Sequence, residues 1–95
     1  MQYIKVKWIH SFPDEPMWLY SEIDDDRWEI RKVYVFPNGT CEYAGPNGNR
    51  GSTKLGIEPV PPLEEIASDP EFLPEEIPAE QFETIWKKAL LENNP

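Results

Sequence analysis

Three features of this sequence have residue types that could do chemistry: one histidine, one cysteine and a run of three aspartates. His10 and Cys41 are the only residues of their kinds. Nucleophilic catalysis needs a nucleophile, a base within hydrogen-bond reach and a third group that orients the base. No serine motif accompanies His10, and only folding could bring Cys41 or a carboxylate to it. The expectation is a strand-end histidine satisfied by a neighbour, in a chain that is not an enzyme; a small enzyme using His10 is the alternative in that class. Asp24-Asp25-Asp26 lacks the one-residue spacing and the bidentate glutamate of a calcium loop. One Cys and one His are too few for structural zinc. The aspartates are read as a solvated turn, with no metal and no cofactor expected. Residues 45–52 contain three glycines and two asparagines. A phosphate cradle would need a Lys-Ser/Thr pair and a helix start after them, so this stretch is read as a mobile loop.

The elements that must position these residues follow from patterning. Ile4, Val6 and Trp8 alternate with Lys5, Lys7 and Ile9, the period of a half-buried strand. Pro13 and Pro16 bracket a turn, and strand character resumes from Met17 to Ile23, with Trp18 and Tyr20 opposite Met17, Leu19 and Ile23. Between Trp28 and Phe36 the apolar positions change phase across Arg31-Lys32, which predicts a bulge or a bend. Phe36-Pro37-Asn38-Gly39-Thr40 is a hairpin turn with Gly39 at the left-handed position, leading into a strand from Thr40 to Ala44. Pro62 can begin a short helix over Leu63-Glu64-Glu65-Ile66-Ala67. Phe82, Ile85, Trp86, Ala89 and Leu90 share one face of a helix beginning near Pro78, with Glu80 and Glu83 toward its start and Lys87 and Lys88 toward its end. The expected fold is α+β: an antiparallel sheet of about four strands with a C-terminal amphipathic helix packed on one face. The single domain, 1–95, divides into strands over 1–44, a flexible loop over 45–57, an acidic proline-rich segment with a short helix over 58–77, and a helix over 78–92.

Charge divides along the same line. The chain of 95 residues has a net charge of -9. Up to residue 57 seven basic side chains meet eight acidic ones, a net of -1; from Glu58 onward ten acids meet two bases, a net of -8. The stretch from Glu58 to Glu80 has eight acids and no Lys or Arg. Six prolines from Pro59 to Pro78 stiffen it, so its acids would be ordered on binding at lower entropic cost than those of a flexible tail. Such a surface suits a basic partner, which it would attract and shield from anionic ligands.

Trp8, Trp18, Tyr20, Trp28, Tyr34 and Tyr43 lie among Lys5, Lys7, Arg31 and Lys32, as on a single-strand nucleic-acid platform. An acidic second half would repel phosphates, so a nucleic-acid-binding or other small interaction module is an alternative, and no nucleic-acid partner is expected. A single cysteine excludes an intrachain disulfide and favours a reducing, cytoplasmic setting. The first residues carry charges through their apolar stretch and do not resemble a signal peptide. No apolar run reaches the roughly 20 residues of a membrane helix.

The segments Tyr3-Ile4-Lys5-Val6-Lys7-Trp8-Ile9-His10-Ser11, Pro13-Asp14-Glu15-Pro16 and Trp18-Leu19-Tyr20-Ser21-Glu22 resemble a family of small acidic bacterial proteins. Arg27-Trp28-Glu29-Ile30-Arg31-Lys32-Val33, Pro61-Pro62-Leu63-Glu64-Glu65-Ile66 and Asp69-Pro70-Glu71-Phe72 extend the resemblance over nearly the whole chain. That family is associated with immunity proteins of bacterial toxin systems, including contact-dependent growth inhibition. The resemblance implies no catalytic residues. It implies a cytoplasmic inhibitor, monomeric when free and one-to-one in complex, that binds and neutralises a cognate toxin with a basic nuclease domain. The partner-binding residues expected on this reading are Asp24, Asp25, Asp26, Glu58, Glu64, Glu65, Glu71, Glu75 and Glu76, with Trp18 and Tyr20 as aromatic anchors.

Overall fold

A computed structural model describes residues 1–51 and 53–93. Six strands, β1 (Gln2–Trp8), β2 (Trp18–Ile23), β3 (Glu29–Val35), β4 (Cys41–Gly45), β5 (Gly48–Arg50) and β6 (Phe72–Ile77), form one sheet in the order β5-β4-β3-β2-β1-β6. Every neighbouring pair is antiparallel. Two helices complete the α+β fold: α1 (Leu63–Ala67) and α2 (Ala79–Asn93).

The first five strands are a meander, joined by tight connections except for the longer loop of residues 9–17 between β1 and β2. Gly39 adopts φ +88° at the β3–β4 turn, where its N–H donates to the Phe36 carbonyl at 2.8 Å and the Phe36 N–H donates to Thr40 at 2.9 Å. This is the turn expected from Pro37-Asn38-Gly39, and a Cβ there would be strained by the backbone angle alone. The β2–β3 pairing shifts between Glu22 and Ile23, opposite Arg31 and Glu29, so Ile30 is the extra residue of a bulge. The expected change of phase is therefore present. Its consequence is specific: residues three apart on a regular strand face opposite ways, but the bulge returns Glu29 and Lys32 to the same face.

Two of the six strands correct the expected count of about four. β5 lies in the glycine-rich stretch read as a mobile loop, pairing Ala44 with Asn49 and Tyr43 with Arg50; Ser52, at the end of that stretch, lies outside the described residues. β6 lies in the acidic segment and pairs with β1, Tyr3 opposite Ile77 and Val6 opposite Pro74. β6 is an edge strand, where a proline mid-strand is tolerated because its missing N–H can face away from the ladder.

The core lies between the sheet and α2. Phe82 and Ala89 are fully buried against Tyr20, Val33, Cys41 and Ile77, with Tyr3, Trp18, Val35, Tyr43, Ile85 and Trp86 packed around them. The helical periodicity thus points its apolar stripe at the sheet. Across this interface Arg31 on β3 donates through Nε to Glu22 at 2.7 Å and through Nη2 to Glu83 of α2 at 2.6 Å. Hydrogen bonding by the Arg31 guanidinium holds both carboxyls below the usual 4.5, against the opposing effect of burial. A carboxylate with a depressed folded-state pKa adds stability above its unfolded value, and that stability is lost as the pH falls through the folded value. Acid should therefore loosen α2 from the sheet as the pH drops below about 4.5. Arg31→Met should flatten that acid limb in a series of urea titrations at pH 3 to 7; an unchanged pH slope would refute the assignment.

Cys41 belongs to the same core. Burial, with a hydrogen bond to Glu92, pushes its thiol up to about 11. Labelling by a thiol reagent at pH 8 should accordingly be slow in the native protein and rapid in urea, and fast native labelling would contradict this burial.

Candidate functional site

The sheet face turned away from α2 is covered only in part. α1 and the chain from Thr53 to Pro62 lie across it, held by Arg27. This residue, at φ +68° in the turn after β2, donates through Nε to the Val60 carbonyl and through Nη2 to that of Pro61, both at 2.7 Å, and through Nη1 to Gln2 at 2.9 Å. The Val60 N–H returns a bond to the Arg27 carbonyl at 2.7 Å. The acidic, proline-rich segment is therefore anchored to the sheet at its start by Arg27 and at its end by the β1–β6 ladder.

Between these attachments runs a groove. Two adjoining cavities of about 360 and 370 Å³ share Leu19, Tyr34 and Phe72. Ile4, Val6 and Leu19 make an apolar floor in the first, with Val60, Ile66 and Phe72 as walls and Glu65 and Asp69 among its lining residues. The second continues past Trp8 and Phe36 and is bordered by Asp14, Glu15 and Glu42.

A polar cluster is set into the floor. The buried Lys32 and Glu29 side chains pair at 2.9 Å. Ser21 donates to the other Glu29 oxygen at 3.0 Å, and the Gly56 N–H donates to Oε1 at 2.6 Å. A Cβ at Gly56 would come within 3.1 Å of that oxygen, so a side chain here would press on the Glu29 carboxylate. Lys32 also donates to the Tyr34 hydroxyl at 3.1 Å, a bond that leaves Tyr34 its own proton to donate. Burial opposes the charge on Lys32, but the charge and hydrogen bond of Glu29 outweigh it and raise the lysine above its ordinary value.

The residues singled out for chemistry are otherwise engaged. His10 Nε2 lies 2.8 Å from the Pro16 carbonyl, to which it donates, and Nδ1 accepts from the Phe12 N–H at 2.9 Å. Both ring nitrogens thus bond to backbone, and Cys41 lies on the α2 side of the sheet. Asp24 Oδ1 accepts from the Asp26 and Trp28 N–H groups, each at 2.9 Å, so this carboxylate shapes the turn while Asp25 and Asp26 are exposed. Among the described residues no group of three or more His, Cys, Asp or Glu could hold a metal ion. Of the four cations expected among the aromatics, Arg31 and Lys32 are paired with carboxylates.

Glu58, Glu64, Glu65, Glu71, Glu75 and Glu76 are all exposed, but they do not form one cluster. Glu75 lies opposite Lys5 and Glu76 opposite Ile4, so strand alternation sends them to opposite faces. Glu65 alone of the expected residues lines the groove. Tyr20 corrects an expectation: at 9% exposure it is part of the core and cannot serve as an anchor unless the sheet opens. Trp18 packs beside it, with Lys5 Nζ 4.3 Å from its ring centroid. Asp14, Glu15, Glu42 and the Glu29–Lys32 pair are groove residues that sequence reasoning missed, whereas Asp69 falls within the acidic segment it singled out. The i,i+3 spacing of Glu29 and Lys32 across the change of phase was the only signal available for any of them.

A family model described as a domain of unknown function, DUF6881, matches residues 2–91. The chain belongs to the DUF6881 family. The match runs from β1 into α2, so the groove, the Arg27 anchor and the acidic segment all lie within the DUF6881 domain. No curated protein and no solved structure matches the chain. No helix among the described residues of this DUF6881 domain is long and apolar enough to cross a membrane.

Proposed function

We propose that this chain is an immunity protein: a non-catalytic, cytoplasmic inhibitor that binds one copy of a cognate bacterial toxin, a basic nuclease, and neutralises it. The observation that carries this reading is the acidic segment. It contains eight acids and no Lys or Arg from Glu58 to Glu80, and it is built into α1 and β6 and anchored by Arg27. Carboxylates fixed in this way keep more of their attraction as affinity, because little ordering remains to be done on binding. Their field would also speed encounter with a basic surface and compete with its anionic substrate. The resemblance to immunity proteins points the same way.

Co-expression with the product of the gene immediately upstream, the candidate toxin on this reading, is the direct test. The chain should restore growth and co-purify with the toxin as a one-to-one complex; neither rescue nor complex would overturn the proposal. Reversing charge at Glu64, Glu65, Glu71 and Glu75 should mainly lower the association rate and reduce its dependence on salt.

A further inference from the structure

The groove on the face opposite α2 has a chemistry more specific than negative charge. Apart from the paired Glu29–Lys32 cluster, its floor and walls are apolar, from Ile4, Val6 and Leu19 to Ile66 and Phe72, and carboxylates stand at both cavities: Glu65 and Asp69 at one, Asp14, Glu15 and Glu42 at the other. An anionic occupant would be repelled, and a purely apolar one would leave Glu65, Asp14 and Glu15 unmatched, whereas Glu42 and Asp69 already accept from the Thr53 hydroxyl at 2.7 Å and the Glu71 N–H at 3.0 Å. Lysine and arginine satisfy both conditions, since their stems lie on apolar surface while their charged ends stay at the rim. Two adjoining cavities along Leu19, Tyr34 and Phe72 suit an elongated occupant, and each falls within the size of ordinary ligand sites, about 300–1,000 Å³. The Tyr34 hydroxyl accepts from Lys32, so its proton is directed elsewhere and can reach a backbone carbonyl.

We propose that this groove is the docking site for an extended segment of the partner protein in which basic and apolar side chains alternate. The inference rests on the reading of the partner as basic, and it assigns recognition to the groove instead of the acidic segment as a whole. The basic side chains of the segment face Glu65 and Asp69 at one cavity and Asp14, Glu15 and Glu42 at the other. Its apolar side chains contact Leu19, Ile66 and Phe72.

Titration of the ¹⁵N-labelled protein with a nine-residue peptide of alternating Lys and Leu tests this. Amide shifts should concentrate at Leu19, Ser21, Tyr34, Ile66 and Phe72. A Lys-Ser peptide of the same charge should bind at least tenfold more weakly. Glu65→Lys combined with Asp69→Lys, both at exposed positions, should weaken the Lys-Leu peptide at least tenfold, whereas Glu80→Lys on α2 should change it less than twofold. Shifts spread over the acids of α2, equal binding of the two peptides, or spermine binding as tightly as the Lys-Leu peptide would each overturn the proposal. Toxin co-expression separates the two readings. If the wild-type chain rescues growth and the Glu65→Lys/Asp69→Lys variant rescues equally well, the groove assignment fails while the inhibitor reading stands. Groove binding of the peptide without toxin rescue is the reverse case.

Discussion

Phe82→Ala should lower the unfolding free energy by about 3–5 kcal/mol, a large share of the roughly 5–15 kcal/mol typical of a small domain. Phe82 is fully buried. Its ring centroid lies 5.4 Å from that of Tyr3 and 6.3 Å from that of Trp86, and the Arg31 guanidinium stands 5.0 Å away. Truncation removes the transfer free energy of the ring and leaves a cavity lined by groups that cannot all collapse into it, because Tyr3 is fixed in β1 and Arg31 is held by two carboxylates. Urea denaturation followed by tryptophan fluorescence should show a lower midpoint at an unchanged slope. Phe82→Leu, which keeps most of the volume, should cost less than about 1.5 kcal/mol. A loss below about 1 kcal/mol for the alanine variant would mean that α2 contributes little to the core.

Glu29→Gln should cost a similar amount, about 3–5 kcal/mol, for a different reason: it leaves the Lys32 ammonium buried without its counter-charge. The Lys32 side chain is only 8% exposed and that of Glu29 9%, so solvent cannot take over the partner's role. The variant should also reverse a pH dependence. In the native protein Lys32 is raised above its ordinary 10.5, so the stability it contributes is complete below the unfolded value and lost as the pH rises through the folded one. Without Glu29, burial, the largest single effect on the lysine, is opposed only by Tyr34 and should depress it, so the variant should become more stable as the pH rises. Adding Lys32→Met to Glu29→Gln should recover most of the loss, since an apolar side chain replaces the stranded charge. A double variant no more stable than the single one would show that Ser21 and Gly56, which also bond Glu29, carry the effect. Equilibrium unfolding at pH 6, 8 and 10 resolves these outcomes.

How much of this arrangement can be read in advance depends on whether neighbours in sequence are neighbours in space. α2 is legible because Phe82, Ile85, Trp86 and Ala89 repeat with the helical period, and the β3–β4 turn is legible because only a few residue types accept its backbone angles. β6 is not. Phe72-Leu73-Pro74-Glu75-Glu76-Ile77 has a proline at its middle and adjacent glutamates, so nothing alternates; its strand conformation comes from the edge of β1. β5 is likewise too short and too rich in glycine to announce itself, and it forms because β4 offers a partner. The groove is hidden for a related reason. Its floor comes from β1, β2 and β3, its walls from residues 60–72, and its buried ion pair from a bulge that puts Glu29 and Lys32 on one face. The acidity of the segment from Glu58 is plain in the sequence; the sorting of its glutamates between two faces and one groove is not.

The place of β6 in the sheet also sets an order of events. β1 is synthesised before β6, yet Tyr3 on it pairs with Ile77, so one edge of β1 has no partner until β6 has emerged. The β1–β2–β3 meander can close early through local contacts, whereas bringing residues this distant together requires a slow, large loop closure. Until then the open edge, with Ile4, Val6 and Trp8 along it, is a template on which a second nascent chain could pair. The acidic strand that completes the sheet therefore also ends the interval in which this protein is most prone to aggregate, and the speed of its arrival should govern the yield of refolding at high concentration.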